Sequence, residues 1–88
     1  MDYSEEQKEV LERHVKNNKI TSLPRKLKKK VVLLEVITND FKDGRCYTEQ
    51  EVNTILLKWY DDYVILRRYL VDFKFLKREE DGSSYYKV

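Results

Sequence analysis

Two helix starts in quick succession, at Thr48 and at Asp61-Asp62, leave little freedom in what this chain can become. Thr48 followed three positions later by Glu51 is a capping box, in which hydroxyl and carboxylate satisfy the orphan amides of a first helical turn. It opens a helix at Glu49 that carries Val52, Ile55, Leu56 and Trp59 on one face and ends near Tyr60. Asp61-Asp62 then caps a second helix, where Tyr63, Leu66, Leu70 and Phe73 recur at spacing 3, 4, 3. Two short helices joined this tightly, after a longer one, are the trihelical arrangement of a helix-turn-helix. Phe75–Arg78, the turn sequence EEDGS and the tyrosine-rich Ser84–Val88 follow as strand, turn and strand. A two-stranded hairpin is marginal alone in water, so it must lie against the helices as a wing. The expected fold is α+β, mostly helical: a winged helix-turn-helix with an extra N-terminal helix and a C-terminal β-hairpin wing.

Upstream, Ser4 and Gln7 form another capping-box pattern, which starts a helix at Glu5 that runs to about Lys16 and stops at Asn17-Asn18. Only Tyr3, Val10, Leu11 and Val15 can be buried there. That narrow stripe either packs on the domain or faces a second copy. Lys19–Leu23 alternates like a short strand. Pro24 suits the first turn of a central helix over about Arg25–Phe41, with Ser22 as cap and Leu27, Val31, Leu34, Ile37 or Thr38, and Phe41 at helical spacing. Val32, Leu33 and Val36 widen its apolar stripe, as expected of a helix packed on two sides. Asp43-Gly44 is a turn signal, and Arg45–Tyr47 reads as a short strand. The chain thus divides into an N-terminal amphipathic helix, 1–18, and a winged-helix region, 19–88, within a single domain.

The 88 residues suffice for one small core, and 41% hydrophobic with 39% charged content fits a well-solvated globular chain. A single cysteine, Cys46, cannot form an internal disulfide, and with one histidine it cannot build a structural zinc site. No apolar run is long enough to span a bilayer, and the acidic N-terminus is unlike a signal peptide, so a cytoplasmic location is expected, away from any membrane. Enzymatic readings fail on inventory: there is no glycine-rich phosphate loop, no metal-ligand cluster and no nucleophile with a base. No catalytic residue, cofactor, metal or small-molecule ligand is expected.

The segments TSLPRKLKKKVVLLEVITNDF, GRCYTEQEVNTIL and DDYVILRRYLVDFKFLKR, with a hairpin ending in G and YY, resemble the bacterial domain of unknown function 2087 from about His14 to Tyr86. The spaced signature is YTE-x-EVN, then DDY-xx-LRR-x-LVD, then a basic residue before the hairpin turn. The resemblance implies a winged-helix-like fold and a connection to transcriptional regulators, some of which carry this domain after a separate helix-turn-helix region. Here the acidic first helix is too short to be another DNA-binding domain.

Net charge is only +2, so attraction to nucleic acid must come from where charges lie. Arg25, Lys26, Lys28, Lys29 and Lys30 crowd the first turns of the central helix, where the helix dipole disfavours cations. Such charge suits phosphates, acidic lipids or an acidic partner; the alternatives are a solvated lysine face or an internal match to Glu5–Glu12. Arg67 and Arg68 on the fourth helix, with Lys77 and Arg78 on the wing, complete the candidate nucleic-acid-binding set. Opposing them, Asp61 and Asp62 sit at the end that would approach base edges, and Glu79, Glu80 and Asp81 occupy the wing tip. The acids at the helix start have a plain role as caps, with Lys58–Asp62 and Arg68–Asp72 as i,i+4 pairs. Six tyrosines from Tyr47 onward suit the edge of a small core better than base stacking. His14 reads as a surface residue and Cys46 as a small buried hydrophobe, while Asn53 has either a backbone or a ligand as partner.

The leading expectation is a winged-helix protein of regulator type that binds duplex DNA through phosphate contacts, with a homodimer through the N-terminal helix supplying a second half-site. The alternative is a non-enzymatic protein–protein interaction or dimerisation module of the same shape. One continuous basic face would favour the first. Basic groups on opposite faces, or arginines consumed by internal carboxylates, would favour the second.

Overall fold

The computed structural model describes residues 2–88. In chain order the elements are α1 (Glu5–His14), β1 (Val15–Lys16), β2 (Lys19–Ile20), α2 (Leu27–Thr38), β3 (Cys46–Thr48), α3 (Glu49–Leu57), α4 (Tyr63–Asp72), β4 (Leu76–Arg78) and β5 (Ser84–Lys87). The run from α2 to β5 has a winged-helix-like arrangement, and the fold is α+β with most of its regular structure helical.

The caps legible in the sequence are the ones the chain uses. Ser4 and Gln7 exchange both capping-box hydrogen bonds at 3.0 and 3.1 Å. Thr48 and Glu51 do the same at 2.9 and 3.1 Å. Asp62 caps α4 by accepting from the Ile65 amide at 3.3 Å. Each satisfies amides that the helix cannot pair internally.

Several boundaries differ from the sequence expectation, and the ends of α2 at Thr38 and of α3 at Leu57 each fall three residues short of the expected Phe41 and Tyr60. α1 stops at His14, because Val15–Lys16 pairs antiparallel with Lys19–Ile20. Asn17 and Asn18 therefore form a two-residue hairpin turn, with φ of 53° and 65°. Asparagine tolerates this left-handed conformation, and two such residues give the turn whose twist suits a hairpin. The Ile20 amide donates to the Trp59 carbonyl at 2.7 Å, which ties the hairpin to the end of α3. α2 begins at Leu27 rather than Arg25, and Lys26 occupies its N-cap without a side-chain hydrogen bond. Pro24 is buried ahead of the helix instead of forming its first turn. Ser22 does not cap α2; its carbonyl oxygen lies 3.0 Å from His14 Nδ1, so His14 is half-buried at a junction.

α2 is the hub. Val32, Leu33, Leu34, Val36 and Ile37 are all buried, and they cover more than one face of the helix, as its broad apolar stripe implied. The same core cluster takes in Val10 of α1, Val52 and Leu56 of α3, Leu66 and Leu70 of α4, and Leu76 and Tyr85 of the sheet, with α1 and α4 lying directly against α2. Phe41 and Tyr47 meet edge to face, with ring centroids 5.1 Å apart. Val10 is buried and Leu11 and Val15 pack against the core, so the stripe of α1 is used within the chain. The wing is not an isolated hairpin. β5 lies between β4 and β3 in a three-stranded antiparallel sheet, with Tyr85 opposite both Arg78 and Tyr47. The third strand supplies the pairing that a lone hairpin lacks.

Candidate functional site

α3 presents Glu49 and Asn53 one turn apart on the same face, and α4 packs beside it. Arg67 of α4 reaches into that contact. Its guanidinium donates to Asn53 Oδ1 and lies 3.8 Å from Glu49 Oε1. Tyr85 of β5 donates its hydroxyl to the same Glu49 oxygen at 2.9 Å. Two helices and the sheet are thereby joined by one polar network. The Arg67 side chain is only 20% exposed, which is low for an arginine at the surface. Burial first, then the hydrogen bond to Glu49, pushes the Tyr85 phenol above the ordinary tyrosine range. Asn53 thus has a side-chain partner, and Glu49 and Tyr85 join a site that charge counting alone did not reveal.

Beside this network a cleft of about 360 Å³ opens between α4 and the wing. Val64 and Val71 give it an apolar wall; Arg67, Arg68 and Arg78 bring three guanidinium groups to it, and Glu49 and Asp72 two carboxylates. Val64 is 49% exposed although apolar. Arg78 folds over the wing turn, where Gly82 has φ of 73° and a Cβ would stand 2.5 Å from the Arg78 guanidinium. The positive φ is what calls for glycine there, since the exposed end of the Arg78 side chain could move aside for a Cβ.

The basic run at the start of α2 is a different kind of place. Arg25, Lys26 and Lys28 are exposed, and none has an ion-pair partner among the described residues. Lys29 is 2.9 Å from Glu9 of α1 and holds the Glu9 carboxyl below the usual range, chiefly through that hydrogen bond. Lys30 sits 4.6 Å from the Tyr69 ring centroid, a cation–π contact with α4. At 100° per residue, Tyr69 and Arg67 leave α4 on opposite flanks, with Arg68 on the outer ridge between them. Ile65 and Asp72 lie between Arg68 and the Tyr69 flank. The two basic groups therefore approach α4 from different sides, and a carboxylate interrupts the surface between them.

The acids are placed as follows. Asp61 pairs with Lys19 of β2 at 2.5 Å, rather than any partner on its own helix. Neither Lys58–Asp62 nor Arg68–Asp72 closes to ion-pair distance among the described residues; Asp62 is engaged as the cap. At the wing tip Asp81 accepts from the Ser83 hydroxyl at 2.6 Å and the Ser83 amide at 2.9 Å, and these bonds hold its carboxyl below the ordinary range. Glu79 and Glu80 are exposed beside it, as is Lys77. Lys87 lies 3.5 Å from Asp43. Tyr47 and Tyr85 are buried, and Tyr60, Tyr63, Tyr69 and Tyr86 half-buried. Cys46 is exposed, contrary to the buried hydrophobe expected, because in β3 only Tyr47 points inward. Among the described residues no cluster of His, Cys, Asp or Glu could hold a metal ion, and no helix is long and apolar enough to cross a membrane.

Residues 19–87 match the family described as "uncharacterized protein conserved in bacteria" (DUF2087), and the chain belongs to that family. The matched segment runs from β2 through β5, leaving α1 and β1 outside it. No curated protein and no solved structure matches the chain.

Proposed function

We propose that this DUF2087 chain is a non-enzymatic interaction module of bacterial regulators, working in the cytoplasm, whose α4–wing cleft receives a protein segment combining acidic and apolar side chains. The observation that carries this reading is the anchored Arg67. Asn53 and Glu49 hold its guanidinium in place beside Val64 and Val71. An arginine held beside apolar residues and a tyrosine is the composition of an interface hot spot, since little side-chain freedom is left to lose on binding. The same surface suits DNA poorly. Asp61 and Asp62 precede α4, and Glu79, Glu80 and Asp81 form the wing tip, so carboxylates stand at both points where a winged helix would approach phosphates.

Selection of a displayed peptide library on the folded protein tests this. Peptides enriched in Asp or Glu next to large apolar residues are expected, with binding lost in Arg68→Glu. Enrichment of basic peptides, or binding indifferent to Arg68→Glu, would overturn it.

A second reading is favoured by Arg25, Lys26 and Lys28, which are exposed and without ion-pair partners among the described residues. They would add sequence-independent phosphate contacts, so that a regulator carrying this module is held near duplex DNA. Its mark is duplex binding that weakens as salt rises and is lost on replacing Lys26 and Lys28 by glutamate.

A further inference from the structure

We infer that the cleft between α1, the β1–β2 turn and Trp59 is a binding site for a small organic ammonium ion with an apolar body. At about 620 Å³ it is much larger than the α4–wing cleft and lies in a different part of the fold. Tyr3, Leu11 and Val15 supply apolar surface from the N-terminal flank, and Trp59 supplies an aromatic ring from the end of α3. The indole N–H donates to Asp40 Oδ2 at 2.7 Å, and the Trp59 carbonyl accepts from Ile20, so this residue is held at both ring and backbone. The polar lining is free to act on a ligand: Glu12, Asn17, Asn18 and Lys58 line the cleft, and none has a side-chain partner among the described residues.

Charge and chemistry select the ligand. Glu12 and Asp40 outnumber Lys58, so the lining favours a cation over an anion of the same shape. An aromatic wall next to carboxylates adds cation–π attraction for an ammonium group, while the apolar surface takes its hydrocarbon part. The cleft also straddles the limit of the family match. Trp59, Lys58 and Asp40 lie within it, and every lining residue from α1, β1 and the turn lies before it. The site therefore depends on a flank that the shared domain does not include.

Trp59 is the only tryptophan, so its emission reports occupancy directly. Titration of the intact protein with phenethylammonium chloride at neutral pH and constant ionic strength is expected to give a saturable change in Trp59 fluorescence. The anion built on the same phenethyl body, 3-phenylpropionate, is expected to give none. Glu12→Gln, at an exposed position, should weaken phenethylammonium binding by about tenfold, the worth of one charge-assisted hydrogen bond. Glu49→Gln, in the other cleft, should leave it unchanged. No saturable change with the ammonium, equal binding of the carboxylate, or a Glu12→Gln affinity equal to that of the parent protein would each overturn the inference.

Discussion

Arg67 and Lys28 carry the same charge, yet one is fixed between an amide and a carboxylate while the other extends into water from the first turn of α2. Ordering a long side chain costs up to about 2 kcal/mol. At Arg67 folding has already met that cost through Asn53 and Glu49, and the residue now serves as part of the scaffold and as a rigid feature of a cleft. At Lys28 nothing has met it, so the charge is mobile and its attraction long-ranged and salt-sensitive. Residues of equal charge thus divide into those that shape a surface and those that only charge it. The α4–wing cleft belongs to the first kind and the α2 N-terminus to the second.

Substitutions can break or sharpen this contrast. The largest effect is expected in the core beneath the cleft. Leu66 is 0% exposed, and Leu66→Ala should cost about 2–5 kcal/mol in chemical denaturation, the usual range for a buried leucine. Leu27, beside the lysines and 60% exposed, should tolerate alanine to within about 0.5 kcal/mol. Next, Arg67→Ala should destabilise by about 1–3 kcal/mol by leaving the half-buried Asn53 without its partner and taking from Glu49 the charge beside it, while the Tyr85 bond to Glu49 stays. Lys28→Ala should change stability by less than about 0.5 kcal/mol. If the two variants had equal stability, the contrast would fail.

The α2 start should even be improvable. Lys26 is an N-cap in extended conformation with no side-chain hydrogen bond, placed where the helix dipole repels a cation. Lys26→Asp should therefore stabilise by about 1 kcal/mol, raising the melting temperature by about 4–8 °C. A neutral or destabilising result would mean that Lys26 has a structural duty after all.

The smallest effect is one of titration. The Tyr85 phenol is raised by burial and by its bond to Glu49, against an opposing influence of Arg67 and Arg78. Because the folded state holds this proton more tightly, its contribution to stability is full below about pH 10 and is lost as pH rises through the folded value. Carbon NMR of the tyrosine rings should show Tyr85 titrating above the ordinary range, and Glu49→Gln should lower it only part of the way, because burial, the larger cause, remains. A Tyr85 that titrates at the ordinary tyrosine value would contradict the network.

Local signals were legible in the chain and long-range ones were not. The two capping boxes, the Asp62 cap and the Tyr63–Phe73 stripe depend on residues three or four apart, so pattern alone located α3, α4 and the wing. Asn17-Asn18 was ambiguous, since the same pair can stop a helix or turn a hairpin; only the pairing of Val15 with Ile20 decides. α2 starts at Leu27, with Pro24 buried ahead of it, and no local rule forecasts that burial. Cys46 could have been assigned outward from the alternation of β3, once Tyr47 was recognised as the inward residue. The Arg67 network needed the packing of α3 on α4 and of β5 across both. Glu49 and Asn53 share a helical face in the sequence, but what faces them does not show there.

The claim that the α4–wing cleft is an interaction surface rather than a DNA reader is tested most directly by an amide NMR titration of the folded protein with a mixed-sequence DNA duplex at low salt. The expected result is that amides of α4 and of the wing turn stay in place, with any shifts confined to residues 25–30 and reversed by added salt. Saturable shifts along α4 and the wing, abolished by Arg68→Glu, would contradict it.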